Sequence, residues 1–413
     1  MNSDAQRAIR PADILGPNDA EELASVYGTP LYIYSAAVLR SRCREVKGMV
    51  SSLRWKPFYS MKANGNLSLL RIIRSEGLCC DTMSPGETEI ALRAGFSPEE
   101  ILFVPNNVSA EEFRHAAERG VLVSLDSLSQ LELFGSILPG SRCAVRLNPG
   151  TGAGHHRKVV TAGKDTKFGI GIDDIGAVLD IVKRHDLRIV GLNQHVGSLF
   201  IDASPWLSSC RSLLESAAFF PDLEWVDLGG GFGFSYRRDE SYARIDLADA
   251  GRKLETLCSE VLGVRADTLE FRCEPGRYVV AECGMILGRV HALKTNGGRT
   301  YCGTDIGMNH LMRPVLYNAW HEIVPAIPSD GPPSEYRITG NVCESGDLLG
   351  DRSLPALREG DLLCGMDAGA YGYAMASSYN GRGRPAEVLV HEDGRADLIR
   401  RRETVEDLIR LFV

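Results

Sequence analysis

The sequence predicts a TIM-type α/β barrel followed by a C-terminal all-β domain of sandwich or small-barrel form, and three observations carry that reading. Eight strand-like runs alternate with helical patterns over roughly 240 residues, and eight βα units is the number that closes such a barrel. The chemically distinctive residues fall at the carboxyl ends of those runs, where barrels of this kind carry their sites. Past Arg277 the alternation stops, and short β-rich segments separated by turns replace it. Periodicity alone leaves a doubly wound open sheet as the alternative.

Taken in order, a short helical pattern (Asn18 to Tyr27) precedes Pro30-Leu-Tyr-Ile-Tyr34, a run rich in aromatic and β-branched residues. An amphipathic helix follows around Ala36 to Leu53. The eight strand runs are 56–61, 78–83, 101–104, 121–125, 142–147, 188–194, 224–228 and 268–273. Helical patterns such as Leu67–Ser75, Gly86–Ala94, Ala110–Glu118, Leu128–Leu138 and Ile175–His185 lie between them. Beyond the barrel, β-rich segments are expected at Tyr278–Lys294, Arg299–Gly303, Tyr336–Val342 and Asp361–Asp367. A hairpin is expected from Glu387–Val390 through His391-Glu-Asp-Gly394 to Ala396–Ile399, and a helix over Thr404–Leu411 closes the chain. Residues 36–276 are thus assigned to the barrel, and 1–35 with 277–413 to the β-rich domain.

Composition narrows the function. A chain of 413 residues exceeds the size at which one core stops growing, which fits two domains. Its 44% hydrophobic and 24% charged content is that of a globular protein, and a formal net charge of -8 disfavours nucleic acid and anionic membranes as partners. A small-molecule substrate fits better. The eleven cysteines contain no C-x-x-C spacing, so no zinc ribbon or redox pair is indicated, and reduced thiols in a cytoplasmic protein are expected. Met1 to Arg10 lacks the apolar core of a signal peptide, and no run approaches the ~18 apolar residues of a membrane span. His155-His156 does not make a metal site, because adjacent side chains diverge and no third ligand suggests itself. No metal is expected.

The residues at the strand ends carry the chemistry. Lys62 ends the first run, and an amine that has lost water there favours its neutral form, as a Schiff-base nucleophile requires. Asp81 and Ser84 end the second run, and His195, Gly197 and Ser198 end the sixth. Gly229-Gly230-Gly231 ends the seventh and offers backbone amides to a phosphate; it does not fit G-x-G-x-x-G, which disfavours a dinucleotide site. Glu274-Pro-Gly-Arg277 ends the eighth with a carboxylate able to protonate a pyridine nitrogen and an arginine able to grip a carboxylate. Each group has a plainer reading: a surface lysine, a tight turn, a strand-end ion pair, a satisfied core histidine. Together, lysine, glycine loop and carboxylate on one barrel mouth describe a site for pyridoxal 5'-phosphate.

The segments Tyr59-Ser-Met-Lys-Ala-Asn64, Gln194-His-Val-Gly-Ser198, Asp227-Leu-Gly-Gly-Gly231, Glu274-Pro-Gly-Arg277, Cys343-Glu-Ser-Gly-Asp347 and Asp367-Ala-Gly-Ala-Tyr-Gly372 resemble, in that order, the barrel-type pyridoxal phosphate decarboxylases of fold type III. Among these the chain is most similar to the diaminopimelate decarboxylases, from about residue 30 to its end. The resemblance implies a homodimer with shared active sites. It implies that Lys62 holds the cofactor, that His195 stacks on its ring, and that Glu274 keeps the ring nitrogen protonated. Ser198, Gly231, Gly276 and Tyr371 would bind the phosphate, with Asp81, Gly229 and Gly230 also at the cofactor. Cys343 and Glu344 would come from the other subunit, Cys343 as the acid that returns a proton and Glu344 as reader of the distal ammonium. Arg277, Arg313 and Tyr317 would hold the distal amino-acid end of the substrate.

The implied reaction is decarboxylation of meso-diaminopimelate at its D-centre to L-lysine. Thr304-Asp-Ile-Gly-Met308 and Asn380-Gly-Arg-Gly-Arg384 depart slightly from the family pattern near the substrate end. The alternatives are the same chemistry on D-ornithine, D-lysine or a carboxylated conjugate of a specialised pathway, and a non-catalytic protein that keeps the fold to bind a partner. A racemase is disfavoured by the acid at Glu274.

Overall fold

A computed structural model describes residues 7–150, 166–238, 242–328 and 331–413. The expected His155-His156 pair lies outside them. By contacts the chain divides into two compact units, one of 42–234 with 244–278 and one of 1–41, 235–243 and 279–413. Residues 36–41 and 235–243, assigned to the barrel from the sequence, group with the second unit.

The first strand, β1 (Leu31–Ser35), belongs to that second unit. The strands that follow are β2 (Arg54–Ser60), β3 (Cys79–Thr82), β4 (Ile101–Phe103), β5 (Leu122–Leu125), β6 (Arg142–Asn148), β7 (Ile170–Gly171), β8 (Arg188–Asn193), β9 (Trp225–Asp227) and β10 (Glu270–Cys273). All pair in parallel in the order β2-β3-β4-β5-β6-β8-β9-β10, and β10 pairs back to β2. The result is a closed eight-stranded barrel, with β7 beside β6 outside the ring. The open-sheet alternative is excluded.

Parallel strands covered by helices are buried on both faces, which explains why these segments read as short apolar runs. Phe58, Cys79, Leu102, Ala144 and Trp225, from five different strands, meet in one buried cluster. The helices that follow β3, β4 and β5 each begin on a capping side chain: Ser84, Ser109 and Ser127 each accept a backbone N–H of the first helical turn. Such caps shorten the loops and fix where each strand end points.

The second unit is a mixed sheet of β1, β11 (Gly284–Asn296), β12 (Arg299–Thr304), β13 (Ile323–Pro325), β14 (Pro333–Thr339), β15 (Leu348–Pro355), β16 (Leu362–Gly365), β17 (Ala386–Val390) and β18 (Ala396–Arg400). Its order is β15-β14-β12-β11-β1-β17-β18, with β16 beside β11 and β13 beside β16. The buried β1 lies between β11 and β17, and the Tyr34 hydroxyl donates to the buried Glu387 at 2.7 Å. The hairpin of β17 and β18 forms as expected, closed by the Gly394 amide donating to the His391 carbonyl at 3.0 Å.

Two details differ from the expectation. Arg277–Val280 is a helical turn rather than the start of a strand, which begins only at Gly284. Strands β13 and β15 were not anticipated; β15 carries Gly350-Asp-Arg352 mid-run, which hides its alternation of buried and exposed positions.

Candidate active site

The carboxyl ends of β2, β3, β8, β9 and β10 bring most of the expected residues to one rim of the barrel. Lys62 sits in the 3-10 turn Met61–Ala63 directly after β2. Its Nζ lies 3.0 Å from Ser60 Oγ and 3.2 Å from Asp81 Oδ1. The expected loss of water is only partial: the Lys62 side chain is 34% exposed, and its amine faces a fully buried carboxylate. Ser60 also donates to Asp81 Oδ2, so the acid, the amine and the hydroxyl form one triangle. Burial pushes the Asp81 carboxyl up, to about 7, against the lowering pull of Lys62.

Glu274 closes the rim from β10. Asn193 Nδ2 donates to its Oε1 at 3.0 Å, and His195 Nδ1 lies 3.7 Å from its Oε2. Burial alone would raise this carboxyl, but His195, Lys62 and Arg146 outweigh it and hold Glu274 below the usual carboxylate range. Burial pushes the His195 imidazole the other way, downward, against the pull of Glu274. The Gly230 amide lies within hydrogen-bond distance of the same Nδ1, at 3.3 Å.

The glycine run packs against the same rim at backbone distance. A Cβ on Gly230 would sit 1.8 Å from the Glu274 carbonyl oxygen, and one on Gly231, at φ +111°, would sit 2.3 Å from the Gly197 carbonyl. The tight-turn reading is thus correct as far as it goes. The amides of Gly231 and the buried Gly276 donate to no group among the described residues. Beside them, Arg277 directs Nε and Nη2 to Ser198 Oγ, each at 3.4 Å.

Four rim residues were given no role from the sequence. Ser60 and Asn193 hold Asp81 and Glu274, and Asp227 accepts the Gly229 amide at 2.9 Å while its own carboxyl is pushed well up, first by burial and then by Glu274. Arg146, buried on β6, stacks 4.8 Å from the Phe168 ring and balances the acids electrostatically. Asn193-Gln194, two polar residues ending an apolar run, were the visible signal.

The remaining candidates lie in the β-rich unit. Arg313 is buried, 2.7 Å from His321 Nε2 and stacked 4.5 Å from the Tyr236 ring. Tyr317 ends the short helix Arg313–Tyr317 and is half-buried. Tyr371 sits at φ 56°, the left-handed region that a tyrosine occupies only under local constraint. Cys343 and Glu344 are exposed, and Cys343 is the exposed one among eleven free cysteines.

Residues 36–281 match the family described as pyridoxal-dependent decarboxylase, pyridoxal binding domain. The diaminopimelate decarboxylase of Methanothermobacter thermautotrophicus is 40% identical over 96% of this chain and 94% of its own length. The chain belongs to the diaminopimelate decarboxylase family. The Escherichia coli member is 33% identical over 94% of this chain and 95% of its own length. The crystal structure of the Helicobacter pylori enzyme complexed with L-lysine aligns with a TM-score of 0.88 at 32% identity, covering 95% of this chain and 99% of that one.

The rim fits the cofactor of this family. Lys62 presents a primary amine of the kind that pyridoxal phosphate needs. Glu274, held ionised, suits a protonated ring nitrogen, and a buried amide without an acceptor at Gly276 suits a phosphate oxygen.

Proposed function

We propose that this chain removes the carboxylate from the D-centre of meso-diaminopimelate, which with one proton taken up gives L-lysine and carbon dioxide. The observation that carries this reading is the convergence of Lys62, Asp81, His195 and Glu274 on one barrel rim. When bound, pyridoxal phosphate supplies an aldehyde to capture the substrate amine and a cationic ring to take up the electrons that the departing carboxylate leaves. Every other task falls to the protein.

Glu274, oriented by Asn193, holds the proton on the ring nitrogen, and neutral His195 covers the ring face. Asp81 and Ser60 accept hydrogen bonds from Lys62 Nζ and hold it in place. Gly229, Gly230 and Gly231 shape the loop, and the amides of Gly231 and Gly276, with Ser198 and Tyr371, bind the phosphate. Arg277, Arg313 and Tyr317 hold the distal end of the substrate, whose second carboxylate is what distinguishes it from a simple diamine. Cys343 returns a proton to the carbon that lost its carboxylate, and Glu344 reads the distal ammonium; both come from the second copy of a homodimer. That both side chains are exposed on this chain supports the assignment. The dimer works in the cytoplasm; free cysteines and the absence of a membrane-crossing helix among the described residues support this part of the reading.

The test is carbon dioxide release by the cofactor-loaded protein from meso-diaminopimelate, D-lysine, D-ornithine and L-ornithine in parallel. Turnover confined to meso-diaminopimelate is expected. Turnover of another amine alone would move the substrate assignment and keep the chemistry, and no turnover of any would remove both.

A further inference from the structure

We propose that the dipeptide Tyr379-Asn380 is a positioning pair for the reaction, with Asn380 orienting the Cys343 thiol and Tyr379 orienting the Glu344 carboxylate. The proposal rests on the reading that Cys343 returns the proton and Glu344 binds the distal amine. Two consecutive residues hold two other consecutive residues. Asn380 Oδ1 accepts the Cys343 amide at 2.8 Å, and Asn380 Nδ2 donates to Cys343 Sγ at 3.3 Å. The Tyr379 hydroxyl donates to Glu344 Oε1. All four residues are exposed. Exposed thiols and carboxylates ordinarily sample several rotamers, so two partners that fix them work against conformational entropy.

The backbone on both sides is prepared for this contact. Asn380 lies at φ 57° and ψ 24°, within the turn Tyr379–Gly381, where asparagine is among the side chains that tolerate left-handed backbone. The Gly381 amide closes that turn on the Ser378 carbonyl at 2.9 Å. Across from it, the buried Asp347 accepts the amides of Met308 at 2.5 Å and Val342 at 3.0 Å, and its own N–H donates to the Glu344 carbonyl at 3.0 Å. The loop carrying Cys343 and Glu344 is thereby anchored before its side chains are aimed. Gly340 stands at the anchor, where a Cβ would meet Asp347 Oδ2 at 2.3 Å.

The chemistry follows from the donor. When Cys343 gives its proton to carbon, the S–H bond breaks, a C–H bond forms, and sulfur keeps the electron pair until solvent reprotonates it. An N–H aimed at sulfur stabilises that thiolate as it develops. The Tyr379 hydroxyl also lies beside Cys343, but its largest interaction is with the carboxylate that reads substrate.

The two residues therefore separate kinetically. Asn380→Gly keeps the left-handed backbone and removes only the amide; it should lower kcat roughly tenfold or more, the loss of one charge-assisted hydrogen bond, with KM within threefold. Tyr379→Phe should raise KM for meso-diaminopimelate with a much smaller change in kcat. A readout free of substrate is alkylation of the holoenzyme by iodoacetamide at pH 7.5, located by peptide mass at Cys343. Because the thiolate is the nucleophile, Asn380→Gly should slow it threefold or more, and by more than Tyr379→Phe does. Unchanged kcat and unchanged alkylation in Asn380→Gly would overturn the proposal. So would a fall in melting temperature accompanied by equal losses in both variants, the mark of a loop tie with no role in positioning. If the wild-type protein turns over no meso-diaminopimelate yet Asn380→Gly still slows alkylation, the functional reading fails while the amide–sulfur coupling stands.

Discussion

At the barrel rim, Asp81, Asp227 and Glu274 are buried and Lys62 is paired among them, whereas Cys343, Glu344, Tyr379 and Asn380 of the β-rich unit are all exposed. The two regions fix their reactive groups by different physics. At the rim, low dielectric makes each charge depend on the others: burial raises Asp81 and Asp227, while His195, Lys62 and Arg146 keep Glu274 low. In the exposed loops, a few hydrogen bonds do the orienting, two from Asn380 to Cys343 and one from Tyr379 to Glu344. Changing a rim residue should therefore disturb the whole set, and changing a loop residue only its own partner.

The largest contrast is catalytic. Lys62→Ala should leave no turnover above background with the fold retained, because no other amine among the described rim residues can take its place. Cys343→Ala, which removes one proton donor, should lose about 10²-fold in kcat. Steady-state kinetics with circular dichroism on both variants checks this, and equal losses would erase the distinction between rim and loop.

Stability gives a second contrast through two glycines. Gly230 has no room for a Cβ, 1.8 Å from backbone, while a Cβ on Gly346, in the Cys343 loop, meets nothing within 4 Å. Gly230→Ala should cost about 1–3 kcal/mol or more, since backbone must move. Gly346→Ala should stay within about 0.5 kcal/mol. Urea denaturation of both variants measures the difference, and comparable costs would show that the rim yields as easily as the loop.

The same contrast explains what the sequence could disclose. Buried parallel strands are apolar runs, so all eight barrel strands were legible, and a barrel places its chemistry at strand ends, so Lys62, Asp81, His195 and Glu274 stood out. Ser60, Asn193 and Arg146 did not, because a polar residue inside a strand declares its role only when the opposite strand supplies the partner. Strand β15 was missed because its half-exposed Leu-Leu-Gly-Asp-Arg-Ser-Leu-Pro lacks an apolar run. Asn380 was out of reach for another reason: it lies thirty-seven positions from Cys343, and only the fold brings its amide to sulfur.

A smaller effect tests whether burial or pairing governs the rim. Burial holds the Asp81 carboxyl at about 7, above its ordinary 3.8, so the folded chain holds this proton more tightly than the unfolded one. Its contribution to stability is fully present below about pH 4 and is lost as pH rises through about 7, with a slope of at most about 1.4 kcal/mol per pH unit. Asp81→Asn removes the titration and keeps the shape. The stability difference between the native protein and this variant, from urea unfolding without added cofactor at pH 5, 6 and 7, should shift toward the variant as pH rises. A difference independent of pH would mean that the Lys62 ammonium fully offsets the burial of Asp81. The rim would then behave as a set of local pairs, like the exposed loops, and a substitution at Asp81 should leave Glu274 undisturbed.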